Sequence, residues 1–141
     1  MCYRPTGVGR GSPGGVLVVG LGIDIVELER VERALARWGG RLVAKLMDPE
    51  EAALLPADAP ARARALALAI AGKEAASKAL GTGWSRGVRW RDVRVEAGPP
   101  TVVLLSGGAL SAARRLGSRG EARGFVELRG PLALGEVRLL A

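Results

Sequence analysis

The 141-residue chain contains no histidine, a single cysteine and only 4% aromatic residues. Each shortage excludes something. Without histidine there is no Ser-His-Asp catalysis and no histidine-ligated zinc, so acid–base chemistry falls to carboxylates, lysine or water. The lone Cys2 supports no disulfide framework, which makes a cytoplasmic setting the expectation. No apolar run approaches the ~20 residues needed to cross a bilayer, so no membrane association is expected. With so few aromatics, Leu, Val, Ile and Ala must fill the interior, and little is left to stack on bases. Nucleic acid is therefore the weakest partner that the charge suggests.

What is present is a globular composition, 48% hydrophobic, long enough for one domain with a real core. The net charge of +7 points to an acidic partner: nucleic acid, nucleotide phosphates or an acidic protein. Among 21 basic residues only Lys45, Lys73 and Lys78 are lysines, which singles those three out. The opening MCYRPTGVGRGSPGG reads as a flexible Gly/Pro arm over residues 1–15, or as an artefact of start-codon choice. The domain is expected over 16–141.

Val16 to Ile25 reads as a strand. Alternation places Leu17, Val19, Leu21, Ile23 and Ile25 on one face and Val16, Val18, Gly20, Gly22 and Asp24 on the other. A charge within such a run costs several kcal/mol unless paired, so Asp24 calls for a metal, a cationic partner or a different assignment. The glycines beside it are expected to leave room for a ligand. A helix follows from about Glu27 to Trp38, stopped at Gly39-Gly40, then a short helix over Gly40 to Met47. DPEE, Asp48 to Glu51, carries the pattern of a capping box. PADAP, Pro56 to Pro60, reads as a loop. The strongest helix runs from Ala61 to Leu80, closed by Gly81. Strands are expected near Val88 to Glu96, Thr101 to Leu105, Gly124 to Arg129 and Leu132 to Leu140, with a helix over Ala109 to Leu116. This order is α+β: an antiparallel sheet packed with a long central helix.

On that helix Leu66, Ile70, Glu74 and Lys78 follow one another at intervals of four, so Glu74 continues an apolar stripe and should be partly buried. Glu74 and Lys78 also form the i,i+4 pair of any Ala/Glu/Lys-rich helix, a plain alternative to a site. Against it, two of three lysines occur here, where arginine would serve equally as a surface charge. Two carboxylates brought together by strand and helix would repel unless a divalent cation joined them, and Mg2+ takes one or two carboxylates plus waters and phosphate oxygens. Arg30, Arg33 and Arg37, with Arg41 as a candidate continuation, form a basic stripe on the first helix, either a solvated face balanced by Glu27, Glu29 and Glu32 or a dock for an acidic partner. The three tryptophans read as core or interface anchors.

GLGIDIVELERVER, followed about fifty residues later by KEAASKALGTG, resembles the holo-acyl-carrier-protein synthase family, the small 4′-phosphopantetheinyl transferases. The likeness runs from about Val16 to Leu105. It implies transfer of phosphopantetheine from coenzyme A to a serine of an acidic acyl carrier protein, with release of 3′,5′-ADP, in fatty-acid biosynthesis. It further implies that Asp24 and Glu74 ligate Mg2+ on the coenzyme A pyrophosphate. Lys78 would contact that phosphate region or help in proton transfer. Lys73 and the Gly81-Thr82-Gly83 turn would lie against coenzyme A. Arg30, Arg33 and Arg37 would meet the carrier, and a homotrimer is implied. The chain departs from the family pattern in two places. GFVELRGPLALGEV stands where a Ser-Leu-Ser-His type motif is usual, leaving Arg129 as the available cation, and Ala69-Ile70 replaces an Arg-Phe pair. A member that binds coenzyme A or the carrier without turnover is the alternative reading.

Overall fold

The structure is a computed structural model that describes residues 15–141, so the arm expected over 1–15 lies outside the described residues except for Gly15. The first strand, β1, is Val18–Glu27, and Glu27 serves as N-cap of α1, Leu28–Trp38. Gly39, at φ 52, ends α1 and lets α2, Gly40–Leu46, begin at once. The short α3, Pro49–Ala52, starts with the Asp48 side chain accepting from Glu51 N at 2.8 Å. Then comes α4, Ala59–Leu80, followed by a 3-10 turn over Trp90–Asp92 and by β2, Val93–Glu96. The chain finishes with β3, Val102–Leu105, α5, Gly107–Arg115, β4, Glu121–Arg129, and β5, Leu132–Leu140. All strand pairs are antiparallel, in the order β1-β5-β4-β3-β2. The α+β expectation, a sheet with a long central helix, holds.

Several boundaries differ from the sequence reading, each for a local reason. Residues of PADAP do not all form a loop: Asp58 caps α4 by accepting from Ala61 N at 3.0 Å, and Ala59 and Pro60 are already helical. The strand expected from Val88 begins only at Val93, because the Asp92 carboxylate accepts from Arg89 N at 2.9 Å and winds the intervening residues into the 3-10 turn. The capping box at DPEE is half made. Glu51 does not turn back to its own N-cap; its carboxylate is buried and used elsewhere.

The faces of β1 carry the main consequence. Leu21, Ile23 and Ile25 point away from the helices and are 56%, 57% and 59% exposed. Gly20 and Gly22 face α4, where a Cβ on Gly22 would overlap the Ala75 carbonyl and one on Gly20 that of Ala79. Gly135 on β5 meets Ala71 in the same way. The room that the glycines leave is thus filled by the α4 backbone, not by a ligand, correcting the expectation for this face. The close approach fixes α4 against β1 and β5, with one core of Ala75, Ala79, Val93, Val137 and Leu139 under its second half. A second cluster, including Val31, Val43, Leu66 and Ala71, joins α1 and α2 to its first half.

Candidate active site

Asp24 lies opposite Gly135 in the β1–β5 ladder. The glycine seam brings α4 so near that Lys78 reaches across to it. Lys78 Nζ donates to Asp24 Oδ1 at 2.6 Å and to the Ile23 carbonyl at 3.3 Å. The Asp24 side chain is 18% exposed and that of Lys78 53%. This bond raises the Lys78 ammonium above its ordinary value, with the Asp24 charge reinforcing it, so Lys78 is a cation throughout the neutral range.

Glu74, one helical turn earlier, is half-buried as the apolar stripe implied. It lines the same cleft as Asp24, a hollow of about 340 Å3 whose walls include Arg30, Ile70 and Leu42. Burial is the main cause that pushes the Glu74 carboxyl above the usual carboxylate range. The Trp84 indole N–H pulls it down, the Asp24 charge raises it, and Lys78 lowers it. That indole nitrogen is buried yet satisfies no hydrogen-bond geometry with any acceptor among the described residues. Its influence on Glu74 is therefore a polar contact short of a hydrogen bond.

Two carboxylates that share a half-buried cleft and repel one another form a donor set for a hard divalent cation. Among the described residues no group of three or more His, Cys, Asp or Glu side chains could hold a metal by itself. Any ion here takes its remaining ligands from water or from a bound phosphate, which is the habit of Mg2+. The residues fit that ion, with Lys78 bonded to Asp24 beside it.

The remaining expected residues separate into three groups. The Gly81-Thr82-Gly83 turn follows Lys78 directly. Gly81 and Gly83 take φ of 75 and 56 and have open space where a Cβ would stand, so glycine is needed for the backbone path, and the turn is accessible. Arg30 joins the carboxylate cleft, while Arg33 pairs with Glu29 at 2.9 Å on the exposed side of α1 and Arg37 lies 5.0 Å from the Trp38 ring centroid. Lys73 is not at the site. It is completely buried, points to the far side of α4, and spends its donors on Glu51 Oε1 at 2.8 Å, on the Trp90 carbonyl at 3.2 Å and on the Val93 carbonyl. Glu51 completes the lock by accepting from Val95 N at 3.1 Å. Lys73 therefore offers coenzyme A no donor, and its assignment as a ligand contact is corrected to an internal strut.

Sequence reasoning missed Glu51 as the partner of Lys73 and Trp84 as the neighbour of Glu74. It also missed that Lys45 lines a hollow beside Trp38, which is 47% exposed and lies between Arg37 and Arg41 of the basic stripe. The scarcity of lysine was the one available signal for Lys45. Arg129 pairs with Glu127 at 2.9 Å at the end of β4. Among the described residues no helix is long and apolar enough to cross a membrane.

The sequence pattern of the 4′-phosphopantetheinyl transferase superfamily matches residues 20–126. A holo-[acyl-carrier-protein] synthase from Acidithiobacillus ferrooxidans is 45% identical over 103 residues, 72% of this chain and 80% of the relative. Another from Alkalilimnicola ehrlichii is 44% identical over 107 residues, 74% and 83% of the two chains. The holo-[acyl-carrier-protein] synthase structure from Neisseria meningitidis superposes with a TM-score of 0.72 at 25% identity, covering 87% of this chain and 98% of that one. The Helicobacter pylori enzyme in complex with coenzyme A gives 0.69 at 22% identity, covering 86% and 99%, a likeness of fold.

Proposed function

The chain belongs to the 4′-phosphopantetheinyl transferase superfamily, and on that footing we propose that it is a holo-acyl-carrier-protein synthase working through the Asp24–Glu74 cleft. It transfers the 4′-phosphopantetheine arm of coenzyme A to a serine of apo-acyl carrier protein. The serine oxygen forms a bond to the β-phosphorus, the bond from that phosphorus to the oxygen of the 3′,5′-ADP leaving group breaks, and the serine proton passes to solvent. The observation that carries this reading is the convergence of Asp24, Glu74 and Lys78 where β1 and α4 touch.

Asp24 and Glu74 would hold Mg2+, which when bound supplies charge neutralisation for the pyrophosphate and fixes its orientation. Lys78 acts as a cation. Held beside Asp24, it would contact the phosphate region of coenzyme A. The open Gly81-Thr82-Gly83 turn would let coenzyme A approach the backbone. Arg30 at the cleft, with Arg33 and Arg37 along α1, would receive the acidic carrier, and Trp38, Arg41 and Lys45 extend that surface onto α2. The Glu29 partner of Arg33 is exposed, and such a pair is worth ~0.5 kcal/mol, so a carrier carboxylate can displace it.

The exposed apolar outer face of the sheet, with Leu21, Ile23 and Ile25 on β1 and Phe125 on β4, supports assembly with further copies, as a homotrimer. A cytoplasmic place in fatty-acid biosynthesis fits the substrates. The test is the intact mass of apo-acyl carrier protein after incubation with this protein, coenzyme A and Mg2+, with EDTA as control. A phosphopantetheine mass gain that EDTA abolishes is expected. No gain with coenzyme A still bound by calorimetry would replace the enzyme by a binding protein of the same fold.

A further inference from the structure

We propose that Trp84 is a positioning residue for Glu74, its indole N–H being the donor that fixes the Glu74 carboxylate when the cleft is loaded. This rests on the reading of Asp24 and Glu74 as the ligands of a divalent cation.

The indole nitrogen is the observation that needs a reason. It is buried and has no partner among the described residues, whereas a buried Trp N–H ordinarily finds one. Leaving such a donor open carries the desolvation penalty of the group with nothing to offset it. A phenylalanine could also stack on Trp90 there and would bring no buried donor to satisfy. The carboxyl group that the N–H acts on is Glu74, on the helical turn to which the backbone before Trp84 is tied.

The ring is held in place to receive that bond. It stacks on Trp90 with centroids 4.0 Å apart and planes inclined by 20°. The Trp90 carbonyl is itself held by Lys73 Nζ at 3.2 Å. The backbone before Trp84 is tied to the helical turn of Glu74: Gly83 N donates to the Ser77 carbonyl at 3.2 Å, and Ser77 Oγ donates to the Glu74 carbonyl at 2.8 Å. The glycine turn that leads into Trp84 is thus tied by hydrogen bonds to the helical turn of Glu74. With one carboxylate oxygen on the indole, the other is left for the cleft shared with Asp24.

The test reads the three tryptophan indole N–H signals by 1H–15N NMR in the metal-free protein, with Trp84→Phe assigning the Trp84 signal. Glu74→Ala should move the Trp84 signal upfield while leaving Trp38 unmoved, and Mg2+ added to the wild type should move it downfield and slow its exchange. Trp84→Phe should raise the Mg2+ concentration for half-maximal transfer roughly tenfold, as loss of an outer-shell partner does, and weaken Mg2+ binding in calorimetry to match. A Trp84 signal indifferent to Glu74→Ala and to Mg2+ overturns the proposal, and so does unchanged Mg2+ dependence in Trp84→Phe. If Trp84→Phe is poorly folded, the Glu74 variant and the Mg2+ titration, which leave Trp84 intact, still decide. A wild type whose transfer ignores EDTA defeats the cation reading itself, whereas Mg2+-dependent transfer with an indifferent indole defeats only the role of Trp84.

Discussion

Lys73 Nζ lies 2.8 Å from Glu51 Oε1 with the two side chains only 0% and 3% exposed, while the very next residue, Glu74, opens on the cleft. Neighbours in sequence, Lys73 and Glu74 serve opposite sides of α4. Burial alone would drive the Lys73 ammonium to its neutral form; the bond to Glu51 is what opposes it.

Breaking that pair from one side leaves an uncompensated buried charge. Lys73→Met should destabilise the protein by about 3–5 kcal/mol in denaturant unfolding. Adding Glu51→Leu should recover most of the loss, since paired apolar replacements are well tolerated. A Lys73→Met protein of normal stability that fails to bind coenzyme A would return Lys73 to the ligand site.

Glu74 makes the opposite pH prediction to a salt-bridged acid. Its folded pKa is raised, so the folded state binds a proton more readily than the unfolded chain, and stability falls as pH climbs from the ordinary carboxylate range to the raised value. Glu74→Gln should therefore have a higher thermal midpoint than the wild type at pH 7 without metal, and the two should converge below pH ~4. Mg2+ should stabilise the wild type and not the variant. A lower midpoint for Glu74→Gln at pH 7 would contradict the burial argument.

Gly22 tests the seam. A methyl group there must displace the Ala75 carbonyl, pushing α4 away from β1 and drawing Lys78 off Asp24. Gly22→Ala should cost about 1–3 kcal/mol of stability, as overpacking does, and lower transfer more than tenfold at temperatures where the variant remains folded. Full activity in a folded Gly22→Ala protein would show that the close approach is dispensable.

Arg30 separates the two substrates. Arg30→Glu should raise KM for the carrier at least tenfold and sharply reduce its salt dependence, as loss of an electrostatic docking contact does, with a smaller change for coenzyme A. Equal effects on both would place Arg30 in the coenzyme A site instead.

Much of this was legible before the structure. The C-terminal ends of α1 and α4 follow from their glycine stops, and Asp24 and Glu74 were marked by a charge in an apolar run and a carboxylate on an apolar stripe. The side of β1 that packs inward was not legible. Alternation defines two faces, and the face carrying Leu21, Ile23 and Ile25 turns outward because α4 seats its backbone on the glycines. Nor could Lys73 be placed. The second half of α4 is alanine-rich and buried nearly all round, so its periodicity does not say which side Lys73 takes, and Glu51 lies 22 residues away. Trp84 read as an anchor because nothing local announces the carboxylate its nitrogen meets.

The most direct measurement is a Mg2+ titration of phosphopantetheine transfer to apo-acyl carrier protein by the wild type, Asp24→Ala and Glu74→Ala. If the two carboxylates together hold the cation, both variants lose transfer by roughly 100-fold or more at Mg2+ levels that saturate the wild type. Retention of full Mg2+-dependent transfer by either variant would contradict the site.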